Sequence, residues 1–566
     1  MIEKPDPSAR AGDVPDPAAR ESNPTPPGGL SPSADVPDAA APASNLTTGG
    51  HKTVGDAPHP AAHESKPKPL GDGPPPAHAA AAKAPGDIPV SELRAAMHQV
   101  ADMVADYFEN LEHYPVVPKI RPGDVRAALP PAPPNEPEPL ARILADYRSL
   151  IEPNTTHWNH PGFMAYFAVT GSGPGVLGEA LAAALNNNAM LWRTGPASTE
   201  LEERVCDWLR QMMGLPAEFK GHINDTASTS SMLALTAARQ RVRDFDVRRR
   251  GLAGRSELPR LRIYASEQAH SSIAKAAIVI GVGLENLRKI PTDKEFRMQP
   301  AALAAAIRED RAAGMCPMAV VATVGTTSTT SIDPVPEIAA ICRREGLWLH
   351  IDSAYAGVAA MCPELRALMP GLGEADSLVT NAHKWLFVPS DCSVLFVRDA
   401  AQWRETFSIV PHYLSTSETD ATNLMDYGVQ LGRRFRSLKM WMVLRAFGVS
   451  GLQERIRKHC RLARMFADWV RAEPGFELIA PVLFSTICFR AVPDLPPAQQ
   501  DEFNARLLQT VNAAGPVLVS HTQLNDRYVM RIAIGSLRTE ERHLAAAWKL
   551  IRDTHREMLS SGYGRR

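Results

Sequence analysis

Thr380-Asn-Ala-His-Lys-Trp-Leu386 is one of two polar runs in this sequence that each follow a short hydrophobic segment. The other run is His350-Ile-Asp-Ser-Ala-Tyr-Ala-Gly357. The hydrophobic segments predict buried strands, so one strand end presents a carboxylate, Asp352, and a later one presents an amine, Lys384. Because ligands of open α/β sheets bind at the carboxyl ends of the strands, the two groups are expected to face one crevice.

Neither residue would indicate a site by itself. A lone lysine near a strand is ordinarily a surface residue, and a lone aspartate after a strand is ordinarily a turn residue or a helix cap. Here they occur in order, together with His270 and a turn rich in serine and threonine. An amine and an acid at one sheet edge suit pyridoxal phosphate, because a lysine forms its Schiff base and an acid keeps its pyridine nitrogen protonated.

Four motifs resemble those of the pyridoxal-phosphate-dependent group II decarboxylases, and within them the aromatic-L-amino-acid decarboxylases. The motifs are Gln268-Ala-His-Ser-Ser272, His350-Ile-Asp-Ser-Ala-Tyr-Ala-Gly357, Asn381-Ala-His-Lys-Trp385 and Leu431-Gly-Arg-Arg-Phe-Arg-Ser-Leu-Lys-Met-Trp441. The resemblance extends from about residue 90 to about residue 540. It implies an α/β protein of the aspartate-aminotransferase type (fold type I), with a mostly parallel sheet in a large domain and a smaller C-terminal α/β domain.

The resemblance also implies a role for individual residues. Lys384 would hold the cofactor, Asp352 would pair with its pyridine nitrogen, and His270 would stack on its ring. Tyr413, on a long polar loop, would return a proton to the substrate after CO₂ leaves. The other implied cofactor contacts are Ala227, Ser228, Thr327, Ala354, Asn381 and His383, and the implied substrate pocket consists of Trp158, Tyr166, Phe167 and Trp385. No metal ligand is implied.

The turn Ile223-Asn-Asp-Thr-Ala-Ser-Thr-Ser-Ser231 suits the phosphate on physical grounds as well. Small hydroxyl residues at the start of a helix let backbone N–H groups and the helix dipole meet an anion. Serine and threonine at such a position are also common as plain helix caps. The resemblance favours the phosphate, with Ala227 and Ser228 as its contacts.

The implied reaction is decarboxylation of an aromatic L-amino acid to its amine. Trp385 favours aromatic over acidic substrates, since the glutamate-specific relatives differ at that position. Ser390 and Asn188 stand where the animal aromatic enzymes carry larger apolar residues, so the choice among tyrosine, DOPA, phenylalanine and tryptophan stays open. The alternatives are an aldehyde synthase of the same fold, which oxidises with O₂, a decarboxylase of a non-aromatic amino acid, and a non-catalytic binding protein.

Charge, hydropathy and cysteine content limit the partners and the compartment expected for this protein. The chain has 62 acidic and 61 basic residues, which gives no electrostatic preference for nucleic acid or anionic membranes. No apolar run reaches the ~18 residues of a membrane-spanning helix, and no signal sequence is apparent. The seven cysteines are scattered without a C-x-x-C pair, which indicates a reduced, cytoplasmic protein.

Four segments are predicted along the chain. Residues 1–88 hold eighteen of the 49 prolines and no aromatic residue, so they are expected to form a disordered tail rich in proline and alanine. A partner-binding role for this tail stays open. Residues 89–156 form a helical segment, with Ser91 as its first N-cap. The resemblance implies that this segment clasps a second subunit in a homodimer, whereas the apolar spacing alone is equally consistent with packing on its own chain. Residues 157–447 form the large domain and residues 448–566 the small one.

Overall fold

The computed structural model describes residues 86–167, 169–409, 418 and 421–561. Runs of apolar and β-branched residues form its strands; β5, for example, is buried along nearly its whole length, as is typical of a parallel sheet covered on both faces. The strands are β1 (Phe163–Met164), β2 (Lys220–Asn224), β3 (Leu261–Ser266), β4 (Leu287–Ile290), β5 (Cys316–Thr323), β6 (Trp348–Asp352), β7 (Ser377–Asn381), β8 (Ser393–Val397), β9 (Phe476–Leu478), β10 (Thr486–Ala491), β11 (Leu518–Leu524) and β12 (Arg527–Ala533).

Helices connect these strands. They are α1 (Val90–Glu109), α2 (Asp124–Ala128), α3 (Leu140–Asp146), α4 (Gly173–Leu185), α5 (Pro196–Met213), α6 (Ala227–Arg241), α7 (Val247–Arg250), α8 (Ser271–Val279), α9 (Pro300–Ala312), α10 (Val335–Glu345), α11 (Pro363–Arg366), α12 (Ala382–Trp385), α13 (Ala400–Phe407), α14 (Arg436–Ala472), α15 (Pro497–Ala514) and α16 (Glu541–Ser560). α14 is interrupted at Gly448, where φ is +61°. Within the described ranges, no helix combines the length and the apolar character that spanning a membrane requires.

The larger sheet has seven strands in the order β2-β8-β7-β6-β5-β3-β4. β8 is antiparallel to both of its neighbours, and the remaining pairs are parallel. All strands except β8 therefore run in the same direction and end at the same edge of the sheet. This arrangement confirms the predicted mostly parallel sheet.

Alternation along the strands divides the core of this sheet into two layers. In β5, Val320 and Ala322 belong to one buried apolar cluster, whereas Ala319 and Val321 belong to another. Successive side chains of a strand point to opposite faces, so each cluster lies on one face of the sheet. Helices cover both layers, so the sheet is packed on both faces and holds the residues at its edge in place.

The smaller sheet has the order β1-β11-β12-β10-β9 and its own apolar core. β1 is parallel to β11, with Phe163 opposite Leu518, so the chain contributes to the small sheet before it builds the large one. The break at Gly448 coincides with the predicted start of the small domain. The four predicted segment boundaries stay a prediction, and residues 1–85 of the predicted tail lie outside the described residues.

The helical segment predicted for residues 89–156 differs from the structure in detail. The prediction of Ser91 as an N-cap is wrong, because the helix already begins at Val90 and Pro89 takes the cap position with an extended ψ of 139°. In the same segment, α3 ends at Asp146 and continues as a π-helical turn.

Candidate active site

Four of the predicted site residues lie at the carboxyl edge of the large sheet. His270 follows β3, Thr327 follows β5, Asp352 is the last residue of β6, and Lys384 lies in α12 directly after β7. The order β7-β6-β5-β3 makes these strands consecutive neighbours. The sequence places them on four separate strands, and the parallel arrangement brings them to one edge.

Lys384 lines a cavity at this edge, which we call the Lys384 cavity. Its ammonium Nζ lies 5.2 Å from the centre of the Phe167 ring. It forms no hydrogen bond with any described residue. Removal from water lowers the pKa of Lys384; the carboxylate of Asp352 opposes this shift and the guanidinium of Arg531 adds to it. A lowered pKa favours the neutral amine, which is the nucleophilic form.

Asp352 is buried, with 5% of its surface exposed. Its Oδ1 accepts the Ala354 N–H at 3.1 Å. Ala354 in turn joins β6 to β7, because its carbonyl accepts the Asn381 N–H at 3.0 Å. The Asn381 side-chain oxygen is buried and has no hydrogen-bond partner among the described residues. A buried carboxylate and an unpaired buried amide oxygen at one edge are groups that a polar ligand would satisfy.

Two histidines flank the lysine, and their hydrogen bonds fix their tautomers. The Ser272 N–H donates to Nδ1 of His270 at 3.1 Å, and the Cys392 N–H donates to Nδ1 of His383 at 2.9 Å. In the neutral rings the proton therefore lies on Nε2. Desolvation lowers the pKa of both imidazoles, that of His383 to about 4.

The helix α6 begins at the same edge, because β2 ends there. Its N-cap is Thr226, whose side chain accepts the Thr229 N–H, and its first two residues are Ala227 and Ser228. The helix is anchored below its first turn by a 3.0 Å hydrogen bond between the hydroxyls of Ser230 and Ser393. The start of a fifteen-residue helix presents free N–H groups and a positive dipole end, which suit a phosphate.

The Lys384 cavity has a volume of about 320 Å³, within the range of small-molecule sites. Its walls are partly aromatic: the Trp158 ring stacks on Tyr166 at 6.1 Å, and Phe167 stacks on Tyr355 at 4.0 Å. The lining residues are Trp158, Tyr166, Phe167, Val169, His270, Thr327, Ser328, Lys384, Ser520, His521, Thr522 and Arg531. The cavity thus joins three of the four residues predicted for the substrate pocket to Lys384, His270 and Thr327.

Trp385, the fourth residue predicted for the substrate pocket, does not line the cavity. It is 1% exposed, stacks on Tyr355 at 4.7 Å and donates from its indole Nε1 to His459 at 2.9 Å. One residue along a helix rotates the side chain by ~100°, so Lys384 faces the cavity and Trp385 faces the core. Tyr355 separates Trp385 from Phe167, and the tryptophan therefore supports the aromatic wall from behind. Tyr413 lies outside the described residues.

Sequence reasoning missed the contribution of the small sheet to the cavity. Ser520, His521 and Thr522 come from β11, and Arg531 comes from β12. One signal was available, because Arg531 is a charged residue within the apolar run of β12. The three residues of β11 carry no comparable signal, since polar residues on a strand of a small sheet ordinarily face solvent.

The donor set at this edge fits pyridoxal phosphate. Lys384 supplies an amine without a hydrogen-bond partner among the described residues, and Asp352 supplies a buried acid. The unpaired oxygen of Asn381 and the first turn of α6 add an unsatisfied acceptor and an anion-binding helix end. These are the groups that an aldehyde, a protonated ring nitrogen and a phosphate require.

A model of the pyridoxal-dependent decarboxylase conserved domain matches residues 122–492. Tryptophan decarboxylase 2 of Oryza sativa subsp. japonica is 40% identical over 480 residues, which cover 83% of this chain and 95% of that protein. Phenylacetaldehyde synthase of Arabidopsis thaliana is 39% identical over 474 residues, covering 82% of this chain and 95% of that protein. The crystal structure of Oryza sativa TDC with PLP and tryptamine has a TM-score of 0.80 and 37% identity, and the match covers 84% of this chain and 100% of that one. The chain therefore belongs to the pyridoxal-dependent decarboxylases, enzymes whose cofactor is pyridoxal phosphate.

Proposed function

We propose that this chain removes CO₂ from an aromatic L-amino acid and releases the corresponding amine. The observation that carries the proposal is the position of Lys384 in a cavity walled by Trp158, Tyr166 and Phe167. Flat apolar walls beside the reacting amine favour an aromatic side chain over a charged one. The similarity to tryptophan decarboxylase 2 supports the same class of substrate.

In this proposal each residue at the sheet edge contacts a different part of the cofactor. Lys384 would bond its aldehyde, Asp352 would pair with its ring nitrogen, and His270 would lie against its ring. The start of α6, with Ala227 and Ser228, would hold its phosphate. The remaining contacts assigned to it are Thr327, Ala354, Asn381 and His383. When bound, pyridoxal phosphate supplies a sink for the electron pair that departing CO₂ leaves behind.

The chain's own groups govern charge and protons around that chemistry. Asp352 in its ionised form stabilises a positive ring nitrogen through a charge-assisted hydrogen bond. His270 is held by Ser272 so that Nε2 carries its proton. The aromatic wall excludes water from the reacting carbon and orients the substrate ring. Tyr413 is assigned the last step, donation of its phenolic proton to the substrate Cα.

An amine-product assay over a panel of L-amino acids tests the function directly. The purified protein, loaded with pyridoxal phosphate, is offered tryptophan, tyrosine, DOPA, phenylalanine, glutamate and ornithine. We expect amine and CO₂ in equal amounts from at least one aromatic substrate, and none from glutamate or ornithine. Amine formed from a charged substrate alone would replace the aromatic assignment with that of a non-aromatic decarboxylase.

An aromatic aldehyde synthase is the second candidate function, and the similarity to phenylacetaldehyde synthase favours it. The two functions differ in one step. A decarboxylase returns a proton to the substrate, whereas an aldehyde synthase consumes O₂ and water and releases aldehyde, ammonia and peroxide as well as CO₂. His270 and the tyrosine at position 413 are both present, as the resemblance implies for the decarboxylase.

Replacement of Tyr413 by Phe is expected to change the main product from the amine to the aldehyde. The variant keeps the ring and loses only the proton donor, so amine formation should fall by ~10²- to 10⁴-fold. Aldehyde and peroxide should appear in its place when oxygen is present. Amine and peroxide are measured together under air, with Tyr427→Phe, a tyrosine outside the Lys384 cavity, as the control. Unchanged amine without peroxide in Tyr413→Phe would remove Tyr413 from the reaction.

We also propose that the protein acts as a homodimer in the cytoplasm. An exposed stripe on α4 supports the dimer: Leu177, Leu181 and Leu185 recur every four residues and are 60%, 53% and 64% exposed. A contiguous exposed apolar stripe is typical of an interaction surface. The seven unpaired cysteines support a reducing compartment. Sedimentation of the loaded enzyme tests the dimer, and a monomer at micromolar concentration would refute it.

A further inference from the structure

The aromatic wall of the Lys384 cavity contains a residue in an unfavourable conformation. Tyr166 has φ of +53°, in the left-handed region that bulky L-residues avoid. Such a conformation persists only where neighbouring groups hold it. It matters here because Tyr166 and the following Phe167 both line the cavity.

Both peptide groups of Tyr166 are held by the small sheet. Its N–H donates to the Ser520 hydroxyl at 3.2 Å, and its carbonyl accepts a hydrogen bond from the Arg531 guanidinium. Ser520 and Arg531 lie directly opposite each other on β11 and β12. The Ser520 hydroxyl also donates to the Arg531 carbonyl at 3.1 Å. The two residues are therefore bonded to each other and together hold the N–H and the carbonyl of Tyr166.

Arg531 makes further contacts on the cavity side. Its Nε donates to the Ser328 carbonyl at 2.9 Å, in the turn that also carries Thr327. Its guanidinium carbon lies 4.5 Å from the centre of the Phe167 ring, the same ring that Lys384 approaches. Three neighbouring parts of the cavity therefore depend on one side chain: the aromatic wall, the turn after β5, and the surroundings of Lys384.

No acid in the described part of the chain balances the charge of Arg531. It is 4% exposed, and no carboxylate lies within ion-pair distance among the described residues. Its Nη2 is buried and has no hydrogen-bond partner among the residues that the structure describes. A buried arginine without an ion-pair partner is costly, and its placement indicates a use at the site.

We propose that Arg531 is a positioning residue for the aromatic substrate: together with Ser520 it holds Tyr166 and Phe167 in the conformation that forms the wall. The inference rests on the proposed aromatic substrate and adds the residues that shape the pocket for it. Direct binding of the substrate carboxylate by Arg531 is the competing explanation. The two differ for a ligand without a carboxylate, because only positioning affects its affinity.

The experiment compares a neutral and an anionic probe of the same shape, 3-phenylpropanamide and 3-phenylpropanoate. Neither carries an α-amine, so neither reacts with the cofactor. Dissociation constants are measured by calorimetry on the loaded enzyme for the wild type, Arg531→Met, Arg531→Lys and Ser520→Ala. Arg527→Met is the matched control, because Arg527 lies on the same strand but is exposed and paired with Glu477. Cofactor absorbance and melting temperature establish that each variant is folded and loaded.

We expect Arg531→Met to weaken both probes about tenfold or more, the effect of one lost hydrogen bond to a charged group. Arg531→Lys, which keeps the charge but not the fork of donors, should also weaken both, and Ser520→Ala should do so to a smaller extent. Arg527→Met should change neither. Loss of affinity for the anion alone, or unchanged binding in Arg531→Met, would overturn the proposal; if Arg531→Met does not fold, Arg531→Lys and Ser520→Ala decide it in the same way. A wild type that binds neither probe would overturn this inference, whereas the absence of amine from every aromatic amino acid in the product assay would refute the aromatic substrate itself.

Discussion

Replacement of Lys384 by Ala is expected to abolish turnover and to leave no lysine that borohydride can link to the cofactor. The reason is that Lys384 is the amine of the cavity at the end of β7, and it has no hydrogen-bonded partner among the described residues to occupy it. The loss should be complete within detection, because no other lysine lines the cavity in the described part of the chain. Absorbance of the bound cofactor and peptide mapping after borohydride reduction measure both effects.

The control for this experiment is Lys275→Ala. Lys275 lies on α8, close enough for its charge to act on His270, yet it does not line the cavity. This variant should keep its activity and its reducible linkage. A labelled peptide from the wild type that contains a lysine other than Lys384 would contradict the assignment, whatever the activity of Lys384→Ala.

Asp352→Asn is expected to lower kcat by at least ~10- to 100-fold while the protein stays folded. The amide can still accept the Ala354 N–H through its oxygen, so the end of β6 should keep its geometry. It lacks the negative charge that stabilises a protonated ring nitrogen. A hydrogen bond to a charged group contributes ~1.5–3 kcal/mol, and each ~1.4 kcal/mol corresponds to tenfold in rate.

The measurement is kcat at saturating cofactor, together with the affinity of the protein for pyridoxal phosphate. Asp352→Glu restores the charge at an altered distance and should recover part of the rate. If Asp352→Asn retained more than half of the wild-type kcat, the acid would not be responsible for the electronic state of the ring. A drop in melting temperature without a change in kcat would indicate a structural role only.

The part of the site that could be predicted from the sequence is the part built by short motifs at strand ends. His270, Asp352 and Lys384 are separated along the chain but follow parallel strands, and parallel strands end at one edge. The repeated pattern of a strand followed by a polar motif is therefore enough to predict that these three residues lie close together. The start of α6 lies at the same edge because β2 lies in the same sheet and points the same way. The sequence indicated that turn by its serine and threonine residues, not by a strand before it.

Two features escaped prediction because they depend on packing between distant segments. Trp385 is adjacent to Lys384 in sequence, yet the turn of α12 directs it into the core against His459. Arg531 is far from Tyr166 in sequence, and their contact arises because β1 joins the small sheet beside β11. Neither the orientation of a side chain on a short helix nor the pairing of a two-residue strand is encoded by a local pattern.

The position of β2 beside β8 has a consequence for how the molecule is assembled. Lys220 pairs with Val397, so this edge of the sheet joins two segments that are far apart along the chain. β2 carries α6, and with it the proposed anchor for the phosphate. Such long-range closure is slow because the entropy of a large loop is lost before the contacts that compensate for it form. Pyridoxal phosphate, whose proposed phosphate site needs β2 in place, is therefore expected to stabilise the closed sheet over the open one.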